Sequence, residues 1–228
     1  MTRPEIVAHR GASRECPENT LAAFRRAVAL GADAVELDVH RSADGVVVVH
    51  HDAAIPGLGA IAALTASAIA ERGRVQGEPI PTLEEVLSAV GGKLRVYIEL
   101  KGADTVPGAV AAVRTFAGPR DLDSCAVHCF DHRLVRQAHA MEPALPRGVL
   151  EVSYPVDPVG AARPVDARDL WRHRDFIDEA FVRAAHAEGR RVVAWTVNDA
   201  DLMQRLAGWG VDAVCTDDVA LARAALGA

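Results

Sequence analysis

From one end to the other, the chain alternates apolar runs of four to seven residues with longer segments of helical period, and few folds accept that pattern. Runs so short and so uniformly apolar are what parallel strands look like when crossover helices cover both faces of the sheet. Candidate strands are 5–8, 33–39, 46–50, 95–100, 125–129, 147–151, 191–197 and 212–216, which makes eight. The segment 165–170 would be a ninth. Either it or 147–151 is then irregular, or the hairpin-like step Asp44-Gly45-Val46 adds a strand outside the repeat. Helices are expected at 19–30 before Gly31 and at 82–90, where Thr82 and Glu85 make a T-x-x-E capping box. Others are expected at 105–117, 132–142, 176–188, 199–208 and 218–226.

Strand–helix alternation fits a closed barrel and an open sheet equally well. The reactive residues separate the two, because they fall at the C-terminal ends of many different strands. A (β/α)8 barrel gathers its site there, whereas an open sheet concentrates its site at one crevice. A length of 228 residues agrees with one TIM-barrel domain over 1–228, since such barrels run to about 200–250 residues. The stretch 53–80, punctuated by Pro56, Gly57, Gly59, Gly73 and Gly77, reads as an insertion after the third strand and a candidate lid.

Charge narrows the function classes. A formal net charge of −6 disfavours a nucleic-acid partner, which needs a basic face to displace counterions. A small anion remains compatible, because one local cluster of Arg, Lys and metal overrides the global field. No apolar run approaches a signal peptide or a membrane span, so a cytoplasmic protein without membrane insertion is expected. Cys16, Cys125, Cys129 and Cys215 form no C-x-x-C pair and read as small core or loop residues.

Glu36 and Asp38 close one strand two residues apart, so both carboxylates face the same way. Burying two like charges together requires a neutralising cation or a raised pKa. Glu99 and Lys101 repeat the spacing on another strand. Three carboxylates suit one hard divalent cation, Mg²⁺ or Ca²⁺, better than zinc. His9, followed by Arg10 and Gly11, brings an imidazole, a planar phosphate fork and a permissive backbone to one strand end. His51 beside Asp52 is suited to general acid or base work, with His50 expected on the opposite face. His40, His128, His132, His139, His173 and His186 read as structural or solvated. Trp195 and Asn198 offer a wall for part of a substrate. Asp217 and the triplet Glu18-Asn19-Thr20 read first as helix caps. Phosphate loops of the G-x-x-x-x-G-K-[ST] type, G-x-S-x-G and H-E-x-x-H are absent, which disfavours nucleoside triphosphatase, serine hydrolase and zincin chemistry.

The ordered succession His9-Arg10-Gly11, Glu18-Asn19-Thr20, Glu36-x-Asp38, Asp44-Gly45, His51-Asp52, Pro81-Thr82-Leu83-Glu84-Glu85, Glu99-x-Lys101, Trp195-Thr196-Val197-Asn198 and Thr216-Asp217 resembles the glycerophosphodiester phosphodiesterase family from end to end. The resemblance implies a TIM barrel with a divalent metal on Glu36, Asp38 and Glu99. It also implies acid–base catalysis by His9 and His51, and phosphate contact by Arg10 and Lys101. The substrate expected is a small-molecule phosphodiester, cleaved to an alcohol and glycerol 3-phosphate. Where the family often has Ser-Phe after the fifth strand, this chain has Cys129-Phe130, with Phe130 expected against substrate. Two rival expectations are the same reaction on a lysophospholipid and a catalytically silent phosphodiester-binding barrel. The sequence leaves the oligomeric state open.

Overall fold

A computed structural model describes residues 3–118 and 121–228. The elements are, in chain order, β1 (Glu5–Ala8), α1 (Leu21–Leu30), β2 (Ala34–Arg41), β3 (Val47–Val49), β4 (Ala54–Ile55), β5 (Gly59–Ala60), α2 (Ala66–Arg72), β6 (Arg74–Val75) and β7 (Glu78–Pro79). They continue with α3 (Leu83–Val90), β8 (Arg95–Leu100), α4 (Thr105–Ala117), β9 (Cys125–Cys129), α5 (His132–Met141), β10 (Arg147–Glu151) and β11 (Asp169–His173). The last are α6 (Glu179–Ala187), β12 (Arg191–Trp195), α7 (Ala200–Trp209), β13 (Ala213–Thr216) and α8 (Val219–Leu226). Among the described residues, eight strands pair in parallel around a closed ring in the order β1, β2, β8, β9, β10, β11, β12, β13, and β1 pairs with both β13 and β2. This is the (β/α)8 TIM barrel expected from the alternation. No helix among the described residues is long and apolar enough to cross a membrane.

Two strand assignments need correction. The run 46–50 is not a barrel strand: β3 lies antiparallel to β2, with Val39 opposite Val49 and Arg41 opposite Val47. The turn between them is closed by Ser42 N donating to Val46 O at 2.9 Å and by Gly45 at φ +92°. So short a connection can only fold back, since a parallel crossover needs a dozen or more residues. The other correction is at 165–170, where the chain forms a 3₁₀ turn over Arg163–Val165 and the strand begins at Asp169. Both 147–151 and this later segment are barrel strands, so the extra strand is the hairpin. Among the described residues, the link from β10 to β11 carries no α-helix.

Helix ends follow their caps. Thr82 accepts from Glu85 N at 3.2 Å while the Glu85 carboxylate accepts from Thr82 N at 2.8 Å, as the sequence predicts. The helix expected at 176–188 starts later, at Glu179, because Asp178 caps it by accepting from Phe181 N at 2.8 Å.

Packing divides into separate cores. The larger lies between strands and helices and includes Phe24, Leu37, Ile98 and Phe181. The barrel lumen is filled by Val7, Ala34, Tyr97, Ala126, Leu150, Trp171, Val193, Ala213 and Cys215. A third cluster joins Val48 to Ile55, Ile61, Ile69 and Ile80. The 53–80 excursion is therefore packed against β3 from the side, and none of its residues lines the cavity at the barrel mouth. It buttresses the hairpin, which corrects its reading as a lid.

Gly148 decides how the lumen fills. A Cβ there would approach Trp171 Cδ1 to 2.7 Å, so the missing side chain makes room for the indole. Gly148→Ala is expected to destabilise the fold by about 1–3 kcal/mol through overpacking, read from urea unfolding midpoints.

Candidate active site

The parallel register sets the site before any loop is considered. Asp38 is paired with Glu99, and Glu99 in turn with His128. Glu36 lies one pleat deeper on β2, paired with Tyr97. Glu36, Asp38 and Glu99 are all buried, at 3%, 1% and 9% exposure, so three carboxylates share the C-terminal end of the lumen.

Their protonation differs because their partners differ. Glu36 is pushed well above the usual carboxylate range, first by burial and then by the neighbouring charges of Asp38 and Glu99. Burial also raises Glu99, against the opposing pull of Lys101. Asp38 goes the other way: burial raises it, but Lys101, Arg10 and Asn19 together hold it down. Lys101 Nζ lies 3.0 Å from Asp38 Oδ1 and 2.7 Å from Glu99 Oε1. Arg10 Nε is 3.2 Å from Asp38 Oδ2, and Asn19 Nδ2 donates to the same oxygen at 2.9 Å. Arg10 Nη1 also bridges both oxygens of Glu18, at 2.9 and 3.0 Å.

The loop after β1 is shaped to deliver those donors. Arg10 sits at φ +55° and donates its backbone N–H to Glu36 Oε2 at 3.1 Å. Gly11 follows at φ +82°, where a Cβ would meet the Ala23 backbone at 2.7 Å. Of the triplet read as a cap, only Thr20 caps α1, accepting from Ala23 N at 3.2 Å. Asn19 holds Asp38 and Glu18 holds Arg10.

Each of the two expected histidines meets a carboxylate. His9 Nδ1 lies 2.6 Å from Asp217 Oδ1, and His51 Nδ1 lies 2.8 Å from Asp52 Oδ1. Burial would raise Asp217, yet donors from His9, Asn198 and Ser13 hold it down at about 2. The hydrogen bond of His9 therefore goes to an ionised acceptor. His50 and His51 separate as expected, since His51 lines the cavity and His50 does not. His40 braces the second histidine by donating from Nε2 to His51 O at 3.0 Å.

His128 is the residue that the sequence reading misplaced. It is 1% exposed, lines the cavity and stacks on Trp171 with centroids 4.2 Å apart and planes 3° from parallel. Its Nε2 lies 3.8 Å from Glu36 Oε1, beyond hydrogen-bond range, and its Nδ1 has no partner. Burial pushes the imidazole down to about 3. Glu36, Glu99 and His128 each offer a ligand atom, all within 4.8 Å of one another. The only advance signal was its place on a strand beside Glu99's, and strand partners are not readable from one sequence.

The cavity holds about 90 Å³ and is walled by His9, Arg10, Glu36, His51, Glu99, Lys101, His128, Phe130, Leu150, Trp171, Trp195 and Cys215. Eight of the nine expected site residues line it directly; Asp38 lies behind Lys101 and Arg10. Phe130 is 46% exposed and meets Trp195 edge to face at 5.6 Å, making an aromatic rim. Cys129 packs inward instead, with Sγ 2.9 Å from Leu100 O.

Comparison with known proteins gives a consistent picture. The model of the glycerophosphoryl diester phosphodiesterase family matches residues 9–221. The chain is 34% identical to a glycerophosphodiester phosphodiesterase of Caldanaerobacter subterraneus subsp. tengcongensis over 230 residues, covering 93% of each. It is 29% identical to a glycerophosphodiester phosphodiesterase of Bacillus subtilis, covering 92% of this chain and 82% of that one. A phosphodiesterase of Oleispira antarctica, solved in complex with the product sn-glycerol-3-phosphate, superposes with a TM-score of 0.91 at 28% identity, covering 99% and 98% of the two chains.

Since the native state keeps His128 neutral down to about pH 3 while the unfolded chain protonates it near 6.5, unfolding takes up a proton throughout that window. Stability from this group is complete above pH 6.5 and declines as pH falls, by up to about 1.4 kcal/mol per pH unit. In chelator, the unfolding free energy of His128→Gln is expected to depend less steeply on pH between 6 and 4 than that of the unaltered protein; equal slopes would contradict this.

Proposed function

The chain belongs to the glycerophosphoryl diester phosphodiesterase family, and from that premise we propose that it hydrolyses glycerophosphodiesters to an alcohol and sn-glycerol 3-phosphate. What carries the reading is the convergence of two carboxylate-held histidines on one cavity with Arg10, Lys101 and the buried acids. Arg10 and Lys101 meet the phosphate charge, and Phe130 with Trp195 borders the organic part. One histidine, His9 in this proposal, takes the proton from the attacking oxygen as its bond to phosphorus forms. The other, His51, protonates the leaving alkoxide as the second P–O bond breaks, so the reaction consumes one water and needs no other reactant. The nucleophile is water or a neighbouring hydroxyl of the substrate; phosphorus NMR during turnover separates the two by detecting a cyclic phosphate.

The donor set fits one divalent cation. Glu36 is raised by burial and by the like charges of Asp38 and Glu99, which a cation would relieve, and His128 Nδ1 is a buried nitrogen without a partner. Glu36, Asp38 and Glu99 would hold Mg²⁺ or Ca²⁺, with His128 beside them, and the ion would polarise a phosphoryl oxygen. The proposed substrate is a small molecule and not a nucleic acid. The proposed place of action is the cytoplasm.

One observation favours a second substrate. Phe130, Val152, Tyr154 and Val156 are exposed apolar side chains on segments that follow β9 and β10, at the same end of the barrel as the cavity. An acyl chain would find contacts there, so a lysophospholipid belongs in any substrate panel beside glycerophosphocholine, glycerophosphoethanolamine and glycerophosphoinositol. A panel in which ligands bind but no product forms would instead support a silent binding barrel.

His51→Ala is expected to lower kcat by about 10²–10⁴-fold with the fold retained, and unchanged turnover would remove the acid–base assignment. Chelation is expected to silence the enzyme and Mg²⁺ or Ca²⁺ to restore it; full activity in metal-free protein would remove the ligand assignment.

A further inference from the structure

We propose that Asp217, itself held by Asn198, is the positioning residue that fixes the His9 ring with its proton on Nδ1 and its Nε2 lone pair toward the phosphate cavity. The inference rests on the phosphodiesterase reading for its kinetic consequence, but not for its structural content.

β13 ends at Thr216 and is followed by two aspartates. Asp218 caps α8 by accepting from Leu221 N at 2.9 Å, which leaves Asp217 free of the capping duty that sequence position suggests. Asp217 Oδ1 takes His9 Nδ1 at 2.6 Å and Ser13 Oγ at 3.2 Å, while Oδ2 takes Asn198 Nδ2 at 2.6 Å. The Asn198 amide is itself oriented, because its Oδ1 accepts from Thr216 Oγ1 and from Asp217 N, each at 2.9 Å. Its NH₂ must therefore face the carboxylate.

An ionised carboxylate only accepts hydrogen bonds, so the ring nitrogen opposite it must carry hydrogen. A neutral imidazole has one N–H, and placing it on Nδ1 leaves Nε2 as the proton acceptor. The ring has little freedom to do otherwise. His9 N donates to Thr216 O at 2.9 Å, and Ser13 Oγ donates to His9 O at 2.8 Å, so the backbone on which the ring is mounted is clamped too. The other histidine is mounted loosely by comparison. Asp52 is 70% exposed and is joined to His51 from the adjacent position in sequence.

The alternative is a plain strand-to-strand ion pair that contributes only stability. Asp217→Asn tells them apart because Asn198 still donates to whatever atom takes the place of Oδ2. The new amide must then turn its oxygen to Asn198 and its NH₂ to His9, which reverses the ring to the Nε2–H tautomer. ¹⁵N NMR of the imidazoles, above the pH at which they protonate, is expected to give Nδ1–H for His9 in the unaltered protein and Nε2–H in Asp217→Asn. In a substrate assay that variant is expected to lose about 10²–10⁴-fold in kcat with KM changed by less than about threefold. Asn198→Ala, which removes the support but not the carboxylate, is expected to lose less in kcat and to keep Nδ1–H.

An Nε2–H ring in the unaltered protein overturns the inference without any variant, and so does wild-type kcat in a folded Asp217→Asn. If the unaltered protein hydrolyses no diester in the panel while His9 shows the expected tautomer, the phosphodiesterase reading has failed and the positioning stands.

Discussion

Crowding of carboxylates at one end of the barrel is the constraint around which the rest is arranged. Two unit charges about 4 Å apart repel by about 4 kcal/mol at an effective dielectric of 20, and here three acids are buried together. The parallel register imposes this: once β2 pairs with β8, Asp38 faces Glu99 and no rotamer choice removes either from the lumen. Positive charge has to be brought to them. Lys101 arrives from the end of the same strand as Glu99, and Arg10 arrives from β1 through a loop with two non-glycine residues, Arg10 and Asn19, in the left-handed region. Such backbone costs of order 1–3 kcal/mol per residue and persists only where the surroundings over-determine it. Charge compensation supplies that surplus, since the side chains of both residues end on Asp38.

The hairpin and its excursion set where a second imidazole stands at the cavity. β3 does not complete the barrel; it folds back along β2 and carries the chain past the lumen to His51. Its hold is distributed over Val49 N to Pro81 O, His50 N to Asp38 O, and His40 Nε2 to His51 O. The apolar cluster of Val48 with four isoleucines then stabilises a strand that would otherwise be an exposed edge. The chain thus spends some 28 residues, 53–80, behind the His51 side chain and leaves the mouth of the barrel uncovered by them.

What the sequence disclosed and what it hid divide along a physical line. Intrastrand periodicity is local, so Glu36, Asp38 and the Glu99/Lys101 pair were readable as one-faced clusters, and the capping box at Thr82 and Glu85 was readable as a helix start. Strand direction and neighbour identity are not local. The run 46–50 looks the same whether it pairs parallel or antiparallel, and His128 in CAVHC looks like any residue of a buried strand until Glu99 is placed beside it. Adjacent identical residues conceal one further distinction. Asp217 and Asp218 compete on paper for the same cap, and only the backbone turn after β13 assigns the cap to one and His9 to the other.

The opposite ends of the lumen show why the site is at one of them. At the N-terminal end Glu5 is met by Arg191 Nη2 at 2.6 Å, Tyr97 OH at 3.1 Å and Arg95 Nη1 at 3.2 Å, while Asp169 is met by Arg168 Nη2 at 2.7 Å and Arg191 Nη1 at 3.3 Å. Acids and cations interleave there, and each acid is paired with more than one donor. At the C-terminal end the balance is incomplete: burial and the charges of Asp38 and Glu99 push Glu36 well above the usual carboxylate range, and His128 Nδ1, Trp171 Nε1 and Trp195 Nε1, all on residues lining the cavity, are buried without partners. Unsatisfied polar groups inside a fold are costly and are kept where a ligand completes them. A saturated plug at one end and a polar cup with unpartnered groups at the other give the barrel two unlike ends, and only the second leaves polar atoms for a ligand to meet.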